Sequence, residues 1–359
     1  MRRLIVCCDG TWNKADQVHN GSPCPTNVVR LAYSTAKSDG ATPQIIYYDQ
    51  GVGTGNAIDR ISGGAFGEGL EDNVHDAYRF LLANYELGDE IFLFGFSRGA
   101  FTARSIGGMV RKCGIIKRAS VATYHKAVQL YRSNARPDDE GPAQFRAEHS
   151  LAGAEPIAIK FIGVWDTVGS LGIPMRGLRS LTRQRYQFHD TELSGSVQNA
   201  YHALAIDERR APFVPTLWLD RPKPGQTVEQ VWFCGAHSDV GGGYPEDGLS
   251  DIALEWMLAK AQANGLLLDP TSRPVHTLDP KPTAMLHDSK TGLYSFTFGV
   301  DRPIGLEAKK ASDAADSPID STQSVHPSVL VRWDADPSYR PRNLRDYFNR
   351  VGDRRAGQR

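Results

Sequence analysis

The chain has 359 residues and carries 41 Lys and Arg against 41 Asp and Glu, so its formal net charge is zero. A global field that would hold nucleic acid or an anionic membrane is therefore excluded, and a hydrophobic fraction of 40% excludes a disordered chain. No apolar run approaches the 18 or so residues that a bilayer crossing needs, so no transmembrane span is expected.

The first apolar run, residues 4–8, follows Met1-Arg2-Arg3 and ends at Asp9. It is shorter than the apolar region of a signal peptide, which needs about 7–15 residues, so we predict a buried first strand. The five cysteines lack the spacing of a zinc site or a disulfide scaffold. Free thiols in the cytoplasm are therefore expected, and delivery by a contact-dependent secretion system, which needs no signal peptide, stays open.

Short apolar runs bounded by turn residues predict strands at 4–8, 44–48, 90–94, 157–165 and 228–234. Apolar residues at helical spacing predict helices over 69–85, 100–112 and 250–263. Strands that alternate with helices are typical of an α/β fold with a mostly parallel sheet and helices on both faces.

Three polar or mixed stretches, at about 120–155, 170–225 and 265–322, are predicted to be insertions, and such insertions commonly form lids. We therefore expect one enlarged α/β-hydrolase-like domain over residues 1–345. The last twenty residues hold seven Arg against two Asp. Residues 346–359 are accordingly expected to form a basic tail, either solvated or available to acidic partners.

The strongest chemical signal is the run Gly95-Phe96-Ser97-Arg98-Gly99 between a predicted strand and a predicted helix. A G-x-S-x-G sequence in that context indicates a nucleophile elbow, which presents Ser97 at the carboxyl edge of the sheet. A side chain at either glycine would strike the neighbouring strand or helix. The amide of Arg98, at the start of the helix, is a candidate donor to a developing oxyanion.

A serine nucleophile needs an imidazole base and a carboxylate that orients it. Asp166 and His237 each follow a predicted strand, in the order serine, acid, histidine that α/β hydrolases use. Asp239 is the alternative acid, while His202 and His326 are alternative bases that no strand end favours as clearly.

Residues 9–13 close the first strand, where a second oxyanion donor is expected, and the amide of Thr11 is the candidate. The same run is similar to the Asp-x-Asp-Gly-Thr signature of haloacid-dehalogenase phosphatases, but Cys7 stands where their nucleophilic aspartate would be. The glycines of residues 51–55 follow G-x-G-x-G spacing, so they fail the dinucleotide-binding fingerprint G-x-G-x-x-G. A tight loop at the border of the active site is the favoured interpretation.

Five ordered motifs together resemble the α/β-hydrolase domain of type VI secretion phospholipase effectors of the family-1 lipase type, and that family's uncharacterised stand-alone members. The motifs are Asp-Gly-Thr-Trp-Asn, Tyr-Asp-Gln-Gly-Val-Gly, Gly-Phe-Ser-Arg-Gly-Ala, Trp-Asp-Thr-Val-Gly and Ala-His-Ser-Asp-Val-Gly-Gly-Gly-Tyr. The resemblance runs from about residue 3 to 345. It implies that Ser97 is the nucleophile and that the family's acid and base fall on Asp166 and His237.

These observations predict a serine hydrolase that cleaves carboxylic esters through an acyl-enzyme, with no metal and no organic cofactor. The substrate would be a small-molecule or lipid ester, phospholipid included, and peripheral membrane contact and oligomeric state are left open. The alternative is a catalytically silent α/β-hydrolase scaffold that binds a ligand or a protein partner.

Overall fold

The computed structural model describes residues 1–10, 13–19, 21–51, 63–118, 120–168, 193–219, 221–272, 274, 277–291, 299–306 and 318–358, with the backbone alone for 63–68. At its centre lies a seven-stranded sheet whose described strands all run parallel to their neighbours. A short antiparallel hairpin lies apart from this sheet. The fold is therefore α/β with a parallel sheet, as predicted.

The strands, in chain order, are β1 (Arg3–Cys8), β2 (Val18–His19), β3 (Ser22–Pro23), β4 (Gln44–Asp49), β5 (Glu90–Phe96), β6 (Ile159–Trp165), β7 (Val197–Ala205), β8 (Thr227–Phe233) and β9 (Gln323–Val325). Strands β2 and β3 form the hairpin, and the others form the sheet in the order β4-β1-β5-β6-β7-β8-β9. The five predicted strands correspond to β1, β4, β5, β6 and β8.

The helices are α1 (Asn27–Ser34), α2 (Gly63–Asn84), α3 (Arg98–Cys113), α4 (Val121–Arg132), α5 (Glu140–His149), α6 (His237–Gly241), α7 (Gly248–Ala263), α8 (Pro327–Ala335) and α9 (Arg342–Val351). Helices α1, α7, α8 and α9 pack on one face of the sheet, and α2, α3 and α4 pack on the other. None of the described helices combines the length and apolar character that crossing a membrane requires.

The strands are apolar along most of their length because helices cover both faces of the sheet. In β1, Ile5 and Cys7 enter one core, whereas Leu4, Val6 and Cys8 enter the other. Alternate side chains of a strand point to opposite faces, so one strand serves both cores. All five cysteines of the chain are buried, and none forms a disulfide.

The order of the strands creates a crevice at one edge of the sheet. The chain leaves β1, adds β4 on one side of it, and then returns to add β5 on the other side. The connections that follow β1 and β5 therefore diverge at the carboxyl ends of these strands. Ligands of open α/β sheets bind at such a switch point, and Ser97 follows β5 at this place.

One of the three expected insertions needs correction. The stretch 170–225, expected to be an insertion, contains β7, which lies inside the sheet between β6 and β8. This strand holds a single β-branched residue and three alanines, so its local preference for a strand is weak and its buried position decides the outcome. The stretch 120–155 contains α4 and α5, so its description as an insertion stays a prediction.

The carboxyl-terminal residues also differ from the expected basic tail. Part of 346–359 belongs to α9, in which Leu344 and Phe348 are buried against the core. Residues four apart share one face of a helix, so these two apolar side chains anchor a segment whose remaining surface carries arginines. The Trp333 indole further donates a hydrogen bond to the Gln358 side chain at 2.6 Å.

Substitution by alanine should destabilise the protein far more at Gly99, in the elbow, than at Gly141, which has the same position in another helix. Gly99 and Gly141 are the second residues of α3 and α5. A Cβ on Gly99 would lie 2.2 Å from the carbonyl oxygen of Cys8, whereas a Cβ on Gly141 would meet nothing within 4 Å. We expect Gly99→Ala to lower the free energy of unfolding by about 3 kcal/mol or more, measured by urea denaturation.

Gly141→Ala is the matched control and should leave stability unchanged or slightly raised, because Ala favours a helix over Gly. Equal stability of the two variants would contradict the close approach of β1 and α3.

Candidate active site

Ser97 lies between the end of β5 and the start of α3, with φ 59° and ψ −120°. This is a strained conformation for a residue with a side chain, and it persists only where the surroundings hold it. The Ser97 amide donates to the carbonyl oxygen of Trp165 at 3.0 Å, and the Val168 amide donates to the Ser97 carbonyl oxygen at 3.4 Å. The end of β6 thus fixes the serine from the neighbouring strand.

The glycines on either side of Ser97 allow this turn. A Cβ on Gly95 would lie 2.3 Å from the carbonyl oxygen of Gly99, and a Cβ on Gly99 would lie 2.4 Å from that of Asp9. Neither backbone can move without disturbing the sheet or α3. The predicted reason for the two glycines is therefore confirmed: β5, α3 and the end of β1 approach too closely for side chains.

Asp166 follows β6 and lies against His237, the first residue of α6. The Asp166 carboxylate oxygen Oδ2 is 2.5 Å from His237 Nδ1, and Asp166 has no exposed surface. Its other oxygen accepts a hydrogen bond from the Ala205 amide at 3.0 Å. Asp166 also has a positive φ of 41°, so the backbone is strained at this position as it is at Ser97.

The His237 ring is held between two aromatic side chains. The ring of Phe96 lies 4.5 Å away, and that of Phe213 approaches edge-on at 5.0 Å. Because a carboxylate only accepts hydrogen bonds, Nδ1 carries the proton in the contact with Asp166, and Nε2 is the acceptor of the neutral ring. An imidazole held in this way can take a proton through Nε2.

Asp239, the alternative acid, faces a different histidine. One of its oxygens is 2.6 Å from Nδ1 of His287, and the other accepts from the amides of Ala236 at 2.9 Å and His287 at 3.1 Å. The ring of Tyr244 stacks on His287. Asp239 therefore attaches the segment 277–291 to α6, while Asp166 is the carboxylate in contact with His237.

The two alternative bases form hydrogen bonds that support the backbone of the fold. His202 on β7 is fully buried, its Nε2 accepts from the Thr167 amide at 3.0 Å, and burial lowers its pKa to about 3. His326 accepts from the Ser328 amide at the start of α8, and burial lowers its pKa to about 4. Both rings are neutral at physiological pH and occupied by other partners.

Arg302 is a site residue that the sequence analysis missed. Its guanidinium donates to both carboxylate oxygens of Asp166, at 2.7 and 3.0 Å, and also to the carbonyl oxygens of Ala205 and Phe213. Burial alone would raise the pKa of Asp166, but the Arg302 charge and the His237 contact hold it well below its usual range. A lone arginine in a Pro- and Asp-rich stretch carries no sequence signal for this contact.

Glu208 is a second missed residue, buried beside the amino end of α6. Its carboxylate pairs with the Arg210 guanidinium at 2.8 Å, and it accepts from the Ser289 hydroxyl at 2.9 Å and from the His237 amide at 3.4 Å. Burial would raise the pKa of Glu208, but the Arg210 contacts lower it. A polar run directly after a strand would have signalled it, but the preceding strand β7 was not predicted.

Asp9 anchors the loop in which the second oxyanion donor was expected. Its carboxylate accepts from the Thr26 hydroxyl at 2.7 Å, the Tyr48 hydroxyl at 2.8 Å and the Gly10 amide at 2.7 Å, while burial raises its pKa. A Cβ on Gly10 would lie 3.3 Å from that of Ser97, so this loop borders the nucleophile. Thr11 itself lies outside the described residues.

Within the described part of the chain, no group of three or more His, Cys, Asp or Glu side chains is arranged to hold a metal ion. The charged residues at the site are instead engaged with one another: Asp166 with Arg302 and His237, and Glu208 with Arg210. The arrangement brings Ser97, His237 and Asp166 to the same edge of the sheet, which suits acyl transfer to a serine.

The chain belongs to the family of Tle1-like phospholipase effectors of the type VI secretion system, whose catalytic-domain model matches residues 2–260. The resemblance drawn from the five motifs is therefore confirmed. A relative from Saccharomyces cerevisiae, the uncharacterized protein YEL023C, is 29% identical over 369 residues, which cover 92% of this chain and 52% of the relative. The chain thus spans about half the length of this relative.

Two solved structures are similar to this chain. An uncharacterized protein from Pseudomonas aeruginosa has a TM-score of 0.45 and 19% identity, covering 77% of this chain and 49% of its own. The Tle1 effector, in its structure bound to the VgrG spike from the type 6 secretion system, has a TM-score of 0.42 and 20% identity, covering 68% of this chain and 51% of its own.

The turn before His237 contacts a carboxylate whose titration should be measurable. Asp207, in the loop after β7, is half-buried and accepts from the Gly235 amide at 2.7 Å and the Tyr339 hydroxyl at 2.9 Å, and desolvation of its carboxylate raises its pKa to about 6. The folded state therefore binds this proton more tightly than the unfolded state, and stability from this group falls as pH rises from about 4 to about 6. Because Asn does not titrate, the free energy of unfolding of Asp207→Asn should rise by about 2 to 3 kcal/mol relative to that of the wild type over this pH interval.

Urea midpoints of both proteins between pH 4 and pH 7 test this expectation. Asp16→Asn, at an exposed position, is the matched control and should keep a constant difference from the wild type. A constant difference for Asp207→Asn as well would mean that Asp207 does not keep its proton on folding.

Proposed function

We propose that this protein is a serine hydrolase that cleaves carboxylic esters of lipids through an acyl-enzyme intermediate. The observation that carries the proposal is the contact of 2.5 Å between Asp166 and His237 at the sheet edge where Ser97 occupies a strained elbow. Membership in a phospholipase effector family supports a lipolytic reaction. The assignment of the serine, the base and the acid is our inference from geometry and motif.

In the first half-reaction, Ser97 Oγ attacks the ester carbonyl carbon while His237 Nε2 takes the hydroxyl proton. Asp166 keeps the proton on Nδ1 and stabilises the imidazolium that forms. The tetrahedral intermediate then collapses, the bond to the alkoxide leaving group breaks, and His237 returns the proton to that alcohol. Ser97 is left as an ester of the fatty acid.

In the second half-reaction, water attacks the acyl-enzyme and transfers a proton to His237. The second tetrahedral intermediate releases the carboxylic acid, and the proton returns to Ser97. The Arg98 amide, in the first turn of α3, is the proposed donor to both oxyanions, because a helix amino terminus carries partial positive charge. The Thr11 amide is the second proposed donor.

A lipid ester suits the surroundings of the base. The rings of Phe96 and Phe213 flank His237, and apolar walls exclude water from the reacting groups and accommodate an acyl chain. The balanced net charge gives no strong attraction to anionic surfaces. We therefore expect peripheral contact with a membrane to depend on apolar insertion more than on charge.

The competing proposal is a catalytically silent scaffold that binds a ligand or a partner. A fluorophosphonate probe distinguishes the two, because it labels a serine only when a base activates it. The active enzyme should be labelled at Ser97, whereas a silent scaffold would stay unlabelled.

Ser97→Ala should abolish turnover of p-nitrophenyl esters and of phospholipid vesicles, lowering kcat by roughly 10³- to 10⁶-fold. The fold should persist, because alanine removes one oxygen atom from the elbow. Ser105→Ala, at a buried serine farther along the same helix, is the control and should retain activity and labelling. Full activity in a folded Ser97→Ala protein would refute the proposed nucleophile.

The two carboxylates near the base should differ in their effect on catalysis. Asp166→Asn should lower kcat by about 10⁴-fold, because an amide can hold the imidazole in the wrong tautomer. Asp239→Asn should cost far less, since Asp239 contacts His287. Steady-state kinetics of the two variants, with urea midpoints to verify folding, test the ranking. The opposite ranking would transfer the role to Asp239.

A further inference from the structure

The buried guanidinium of Arg302 contacts Asp166, the proposed acid of the active site. It forms a two-pronged pair with the Asp166 carboxylate and is 2% exposed. The same group donates to the carbonyl oxygens of Ala205 and Phe213. Asn343 on α9 in turn donates to the Arg302 carbonyl oxygen at 3.1 Å and to that of Ile206 at 3.0 Å.

This pair changes the charge of the proposed catalytic centre. An aspartate beside a neutral histidine carries a charge of −1, which favours the protonated imidazole. With Arg302 in contact, the three groups sum to zero when His237 is neutral and to +1 when it is protonated. The arginine therefore opposes protonation of the base, and it fixes both carboxylate oxygens in one plane.

Other charged groups approach His237 from the elements around it. Glu208, on the loop after β7, accepts from the His237 amide and is paired with Arg210. Asp166 approaches from the end of β6 and carries Arg302 behind it. Since Arg210 compensates Glu208, Arg302 is the cation that compensates Asp166.

The remaining neighbours make their contacts away from the His237 ring or carry no charge. On α6 itself, the Asp239 carboxylate contacts His287 and two backbone amides. His202 on β7 is held neutral by burial, and the rings of Phe96 and Phe213 carry no charge. The Asp166–Arg302 pair is therefore the buried ion pair that the His237 ring contacts directly.

We propose that Arg302 is a positioning residue of the active site, which orients the Asp166 carboxylate toward His237 and balances its charge. This inference rests on the proposed function. Arg302 lies beyond residue 260, where the match to the family model ends. The carboxyl-terminal third of the chain therefore contributes to catalysis through Asp166.

Arg302→Met removes the charge and keeps most of the volume. The acidic limb of the kcat/KM profile should move to higher pH by about one unit, because an uncompensated Asp166 favours the protonated imidazole. The kcat on the plateau should fall by roughly 10²-fold as the carboxylate loses its fixed orientation. Arg302→Lys keeps the charge but cannot donate two parallel hydrogen bonds to the carboxylate. The acidic limb of the kcat/KM profile should therefore stay at its wild-type pH, while kcat falls and KM is unchanged.

The control is Arg30→Met, which breaks another buried arginine–aspartate pair, the contact of Arg30 with Asp251 at 2.5 Å between α1 and α7. It should lower stability and leave the limb where the wild type has it. The proposal would be overturned if Arg302→Met folds, its acidic limb does not move, and kcat/KM is lowered equally at every pH. A wild-type kcat in Arg302→Lys would also overturn it, and this second result is decisive even if the Met variant fails to fold.

A second readout separates this inference from the proposed function. In spectra of ¹⁵N-histidine-labelled protein, with the His237 signal assigned through His237→Gln, the ring should titrate at higher pH in Arg302→Met than in the wild type. This measurement needs no turnover. If the wild type is unlabelled by fluorophosphonate, the proposed function fails, whereas an unchanged His237 titration shows that the role of Arg302 fails.

Discussion

A carboxylate without exposed surface needs a partner for each of its oxygens, and at Asp166 the partners come from separate parts of the chain. The imidazole of His237 comes from α6, the amide of Ala205 from the end of β7, and the guanidinium of Arg302 from the segment 299–306. An unpaired charge at such a depth would cost several kcal/mol. Each partner is therefore tied to the others through one buried group, and the carboxyl edge of the sheet is organised around it.

The parallel sheet explains why these groups meet. Because β1, β5, β6 and β8 run in one direction, the loops that follow them all open at the same edge. Asp9, Ser97, Asp166 and His237 each lie at or just beyond the end of one of these strands. The elbow glycines let α3 start close against β1, and the strain at Ser97 and Asp166 is borne by the packed strands beneath.

The carboxyl-terminal part of the chain is integral to this site, although the match to the family model ends at residue 260. His287 contacts Asp239, Ser289 contacts Glu208, and Arg302 contacts Asp166, so three contacts hold the elements around His237 from outside the matched region. Helix α9 supports Arg302 through Asn343. A fragment ending at residue 260 would leave buried carboxylates without their partners, a cost that packing cannot offset.

The sequence by itself determined the strands with continuous apolar runs, the parallel α/β class and the elbow around Ser97, because these depend on residues that are neighbours in the chain. It did not reveal β7, whose alanines prefer no strand locally, and it left both Asp166 and Asp239 open as partners of His237. Only the tertiary structure decided between them, since Asp166 is 71 residues from His237 and 136 from Arg302. Which buried charges meet depends on how the whole chain packs, and no local pattern encodes that.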